Sequence, residues 1–116
     1  MDTALLQMDA LMERLEHDTE LVKEIFGVFL EETPGRLTKF AAALSAVDFP
    51  AMVLQAHSLK GTSGTLQAEP LRAACLALES ASRQGDEAAM RQAYPAVIDL
   101  LRRTNERIRE LLEAMP

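Results

Sequence analysis

The chain has 116 residues, 48% of them apolar and 26% charged, with a net charge of −6 at pH 7 and a single cysteine. That length suits one domain, 1–116, with a single buried core. The acidic balance argues against a nucleic-acid binder, and no apolar run approaches the roughly 18–20 residues of a membrane span. The first residues lack a signal-peptide pattern, and Cys75 has no second cysteine to pair with. A cytoplasmic protein with a buried, reduced thiol is the expectation. Ala, Leu, Glu and Arg dominate and β-branched residues are few, which is a helical composition.

Taken in order, residues from about 3 to 15 read as a short first helix. Thr3 can cap it, and Leu5, Met8, Leu11, Met12 and Leu15 form its apolar side. Glu16-His17-Asp18 is a polar connection, with His17 a solvated linker residue. Asp18 caps a second helix whose apolar stripe is Val22, Ile25, Phe26, Phe29, Leu37, Phe40, Leu44 and Val47. The stripe keeps phase across Pro34, so the pattern predicts one long helix, kinked at the proline, to about Ala46. Gly27 offers a place for the first helix to pack closely. Asp48 caps a third helix, with Pro50 in its first turn, ending near Leu66. Gln67-Ala68-Glu69 is the next turn, and Pro70 starts a fourth helix with the stripe Leu71, Ala74, Cys75, Leu78 and Ala81. Gly85 and Asp86 end that helix and cap the fifth, which runs to about Ala114 with Met90, Val97, Leu101, Ile108, Leu111 and Leu112 inward and a kink at Pro95. Long amphipathic helices with short connections predict an all-α, antiparallel four-helix bundle, with the short N-terminal helix covering one end.

The third helix carries the unusual stretch, Ala56-His57-Ser58-Leu59-Lys60-Gly61-Thr62-Ser63-Gly64. Met52, Ala56, Leu59, Ser63 and Leu66 form a core-facing seam. His57 falls on the outer flank, sharing its side with Lys60, Gly61 and Gly64. A glycine costs about 0.5–1 kcal/mol in a helix interior. Either one of the two ends the helix as a C-cap, or both clear space beside His57 for a close approach. With about 100° of rotation per residue, Val53, Lys60, Gly61 and Gly64 lie within about 60° of His57, and Leu54 lies at the edge of that sector. Such a surface is bare at its centre, apolar at one end and cationic on one side. The turn around Ala68 adds a second inference: His57 and Glu79 stand equally far before and after it, so an antiparallel hairpin brings them level. Glu79 could then hold one imidazole nitrogen and leave the other free as a nucleophile; it could equally form a surface pair with Arg83, one turn on, and the two readings are compatible.

The segment His57-Ser58-Leu59-Lys60-Gly61-Thr62-Ser63 resembles the signature of histidine-containing phosphotransfer (Hpt) domains, His-x-Leu-Lys-Gly-x-Ser/Ala. The resemblance continues in Phe29 to Glu32, in Leu78-Glu79 and in the Arg83 to Asp86 turn. One departure is Gln67-Ala68, where the family usually has Gly-Ala. The resemblance implies a phosphocarrier in a two-component phosphorelay. His57 would accept a phosphoryl group from a receiver aspartate or a histidine kinase, including a hybrid kinase, and pass it to a response-regulator receiver aspartate. In some relatives a Glu or Gln at the position of Glu79 orients the histidine. Lys60 would favour a neutral, nucleophilic ring and offset charge on the incoming group. Val53, Leu54, Gly61, Gly64 and Arg83 would meet the partner. The receiver would supply Mg²⁺; the chain itself shows no phosphate loop and no metal-binding set, so no cofactor of its own is expected. A monomer with no nucleic-acid or membrane contact is expected. The alternative is a docking or inhibitory bundle without turnover, which has no need of His57, Lys60 and Gly61 together.

Overall fold

The computed structural model describes residues 4–116. Five helices follow in order: α1 Met8–Arg14, α2 Thr19–Ala46, α3 Phe49–Thr65, α4 Glu69–Arg83 and α5 Glu87–Ala114. Three of the starts are set by aspartates. Asp18, Asp48 and Asp86 each hold extended backbone and accept from the N–H three residues on, at 3.0–3.1 Å. Each satisfies one of the orphan donors of a helix end and places a negative charge at its positive pole. Pro34 and Pro95 sit inside helices that remain unbroken. Among the described residues, no helix is long and apolar enough to cross a membrane.

α2 packs on α3, α3 on α4, α4 on α5, and α5 returns to α2, closing a four-helix bundle. The two 28-residue helices α2 and α5 would each be about 42 Å long at 1.5 Å per residue, which accounts for the 45 Å long axis of the molecule. The core forms where the stripes meet: Val22, Phe26, Phe29 and Phe40 from α2, the seam Met52, Ala56, Leu59 and Leu66, then Leu71, Cys75 and Leu78, and Met90, Val97, Leu101 and Ile108. Ser63 lies in the seam fully buried, and its hydroxyl donates to Leu59 O at 2.7 Å, so the polar atom is satisfied within the helix. Burial pushes the Cys75 thiol up to about 12, leaving it an inert core group.

The N-terminal region differs from its expectation. α1 begins at Met8, with Gln7 at the cap position and no side-chain cap; Thr3 lies outside the described residues. Leu11 of the expected stripe is fully buried, but Leu6, which the stripe passed over and which lies ahead of the helix, is buried too, and the N–H of Gln7 donates to Gln67 O at 2.9 Å. That bond and the burial of Leu6 hold the chain against the α3–α4 turn in a non-helical conformation, so α1 covers the end of the bundle as anticipated but starts later. Gly27 plays no packing role toward α1: a Cβ there would meet nothing within 4 Å among the described residues.

The α3–α4 turn is tight. Gln67 takes the left-handed conformation, φ 58°, and Ala68 N–H returns to Ser63 O at 2.8 Å. The turn therefore keeps the shape a glycine would give it, at a cost of about 1–2 kcal/mol for an L-residue with a Cβ. Gln67→Gly should accordingly raise stability by about 1 kcal/mol in urea unfolding. A lower stability would show that contacts of the Gln67 side chain outweigh the strain.

Candidate functional site

The tight turn makes α3 and α4 a hairpin, and the hairpin sets one acidic side chain of α4 beneath an exposed histidine of α3. Glu79 is buried, with 6% of its side chain accessible, while the His57 ring is 61% accessible. His57 Nδ1 lies 3.1 Å from Glu79 Oε2. The same oxygen accepts from Arg83 Nη2 at 2.8 Å and Nε at 3.1 Å. Lys60 Nζ stands 2.7 Å from the other oxygen, Oε1. At that distance the ammonium and the carboxylate form a close, charge-assisted pair.

A buried carboxylate is tolerable only when paired, and here two cations and an imidazole converge on it. Lys60 is the largest cause, and Arg83 and His57 add to it against the opposing effect of burial. Together they hold the Glu79 carboxyl down at about 2. An ionised carboxylate can only accept, so Nδ1 must carry its hydrogen. In the neutral ring Nε2 then has the lone pair and points away from Glu79 toward solvent. The arrangement therefore presents one nucleophilic nitrogen in a set tautomer.

The readings of Glu79 as partner of His57 and as partner of Arg83 both hold at once. Lys60 stands one turn from His57 on α3, and its ammonium rests on Glu79 of the neighbouring helix at the same level. Gly61 is exposed, and a Cβ there would meet nothing within 4 Å among the described residues. Gly64 is more enclosed. A Cβ would touch Arg72 Cδ at 3.7 Å, an ordinary contact, and its carbonyl accepts from Arg14 Nη1 at 3.4 Å. Neither glycine ends α3, and neither is required by packing.

Val53 and the exposed Leu54 line an open groove that reaches His57 at one end. Its other walls are Phe49, Pro50, Ser82 and Arg83. Phe49, Pro50 and Ser82 escaped the sequence reading, since the first two look like a helix start and the last is one small residue on α4. Arg36 of α2 was missed as well. It reaches Ser58 and Thr62 on the flank of α3 away from Glu79, and its only local signal is Glu32 one turn earlier, the mark of an ordinary surface pair. Among the described residues, no group of three or more His, Cys, Asp or Glu side chains is placed to hold a metal.

The depressed carboxyl has a pH consequence of definite sign. Glu79 is more acidic folded than unfolded, so its ionisation contributes stability that is fully present above the ordinary value of 4.5 and drains away as pH falls toward about 2. The stability gap between the wild type and Glu79→Gln, measured by urea unfolding, should hold steady from neutral pH to about 4.5 and close progressively toward about 2. A gap that stayed constant over the acid range would contradict the pairing.

The sequence matches the family model of the Hpt domain over residues 24–115. Two solved structures share the fold. One is histidine-containing phosphotransfer protein B from Pseudomonas aeruginosa PAO1, with a TM-score of 0.88 at 22% identity, covering 99% of this chain and 100% of that one. The other is the Hpt domain of a sensor hybrid histidine kinase from Shewanella, with a TM-score of 0.85 at 20% identity, covering 96% of each chain. Comparison with curated protein sequences yields no match.

Proposed function

The chain belongs to the Hpt domain family, whose members carry phosphoryl groups on histidine between the proteins of two-component phosphorelays, and from that premise we propose that Nε2 of His57 is the atom that carries the group. The single observation behind this reading is the bond from His57 Nδ1 to the buried carboxylate of Glu79, which leaves Nε2 as the exposed nucleophile.

The transfer step balances without a proton in flight. The Nε2 lone pair attacks phosphorus of an aspartyl phosphate on a receiver. The N–P bond forms, the P–O bond to the aspartyl carboxyl breaks, and the aspartate leaves as a carboxylate. The ring becomes a phosphorylated imidazolium that keeps its Nδ1 hydrogen. Its new positive charge develops 3.1 Å from Glu79 Oε2, where a preorganised negative group stabilises it. The return transfer to another receiver aspartate reverses the same bonds.

In this reading Glu79 orients the ring, and Lys60 and Arg83 hold Glu79 while bringing positive charge to the rim that the phosphoryl oxygens enter. Mg²⁺ belongs to the receiver's own acidic site. Val53, Leu54 and Gly61 form the surface against which the receiver seats, with Gly64 at its edge beside Arg72.

His57→Gln should abolish phosphotransfer from a receiver domain charged with acetyl phosphate, with an unchanged helical circular dichroism spectrum. Phosphorylation of that variant at the wild-type rate would remove His57 from the mechanism.

The glycines give a prediction of opposite signs for stability and function. Nothing in the fold needs Gly61 to lack a side chain, so Gly61→Gln should gain about 0.5–1 kcal/mol of stability from helix propensity. The reacting atoms must come within about 3–3.5 Å, and a long side chain beside His57 would hold the receiver off. Transfer should therefore slow while the melting temperature rises. Lost stability with undiminished transfer would mark Gly61 as a structural glycine.

A further inference from the structure

Arg36 makes the polar link between α2 and α3. Its Nη1 donates to Ser58 Oγ at 3.2 Å, and its Nη2 donates to Thr62 Oγ1 at 3.1 Å and to Glu32 Oε2 at 3.0 Å. Among the described residues, these two hydroxyls are the side-chain hydrogen-bond partners that any α2 side chain finds on α3. The guanidinium side chain is only 11% accessible, and its Nε is buried with no partner among the described residues. A buried donor left unpaired is unfavourable, and well-packed apolar residues in place of a buried charge are often as stable or more so. Stability alone is a poor account of this residue.

Its geometry offers a better one. At about 100° per residue, Ser58 and Thr62 lie about 100–140° round α3 from His57 in one direction, while Lys60 lies about 60° round in the other. α3 is gripped on both flanks, by the fork of Arg36 on one and by Glu79 on the other, with His57 between them. A two-sided grip sets the roll of the helix about its own axis. With side chains reaching about 5–6 Å from that axis, a roll of about 10° carries the ring about 1 Å sideways. A displacement of about 1 Å at the reacting atom can cost about a hundredfold in rate.

We propose that Arg36 is a positioning residue for phosphotransfer, which sets the roll of α3 through Ser58 and Thr62 and so aims Nε2 of His57 at the receiver; this rests on the reading of His57 as phosphoacceptor. It acts through α3 and touches neither the reacting nitrogen nor the phosphoryl group.

Arg36→Met keeps the aliphatic stem and removes the fork. Transfer from a receiver domain charged with acetyl phosphate would be followed over a range of receiver concentrations. The same samples would be examined by ¹⁵N NMR of the His57 ring and by urea unfolding, with His57→Gln as control. If the control takes up phosphate, the phosphoacceptor reading itself fails, whatever Arg36→Met does. With the control inert, Arg36→Met should lower the plateau transfer rate about tenfold or more, leave the half-saturating receiver concentration within about twofold, and shift the ring ¹⁵N resonances that report the Nδ1 hydrogen bond. The double variant Ser58→Ala/Thr62→Val should show the same loss, and adding Arg36→Met to it should cost little more. An unchanged plateau rate per folded molecule would reduce Arg36 to a fold-stabilising residue and overturn the proposal. An unchanged plateau with a raised half-saturating concentration would make it a partner contact and overturn it equally.

Discussion

Glu79 is a carboxylate kept charged below the surface of a helical bundle, and such a group persists only where cations and donors reach it. Lys60, Arg83 and His57 all do. Their convergence requires α3 and α4 to stand in one register, with His57 and Lys60 one turn apart above the same acidic side chain. The register in turn requires the short turn at Gln67, whose left-handed backbone is strained for a residue with a Cβ. Turn strain, hairpin register, carboxylate charge and imidazole tautomer form one chain of dependence, and its last link is the free lone pair on Nε2.

The helices divide the work. α3 and α4 carry the reactive groups, while α2 and α5 span the length of the bundle and supply half of its largest fully buried side chains, Phe26, Phe29 and Phe40 among them. A carrier that relies on partners for activation needs little machinery of its own: a nucleophile in the right tautomer, a counter-charge for the imidazolium, and a surface another protein can approach. The two glycines of α3 fit the last requirement, since a helix interior gives up stability for each and the fold asks for neither.

Much of this was legible in the chain. Aspartates before apolar runs placed three helix starts, because a cap and its orphan N–H lie within one turn and need no distant partner. The seam from Met52 to Leu66 proved fully buried, and His57 proved exposed, because a 3.6-residue period assigns each side chain to a face of its own helix. Even the pairing of His57 with Glu79 followed from counting outward from one turn, since a hairpin turns sequence distance into spatial level.

What the sequence determined by itself was local: where helices begin and end, which faces are apolar, and which residues of one hairpin stand level. Tertiary structure decided the rest. α1 starts at Met8 because Leu6 is buried and Gln7 bonds to Gln67, a partner sixty residues away. Lys60 rests on Glu79, Gly27 faces open space, and Arg36 grips α3 from α2. None of these has a local signal. Each depends on how whole helices roll against one another, which is set only when the core closes at native packing density.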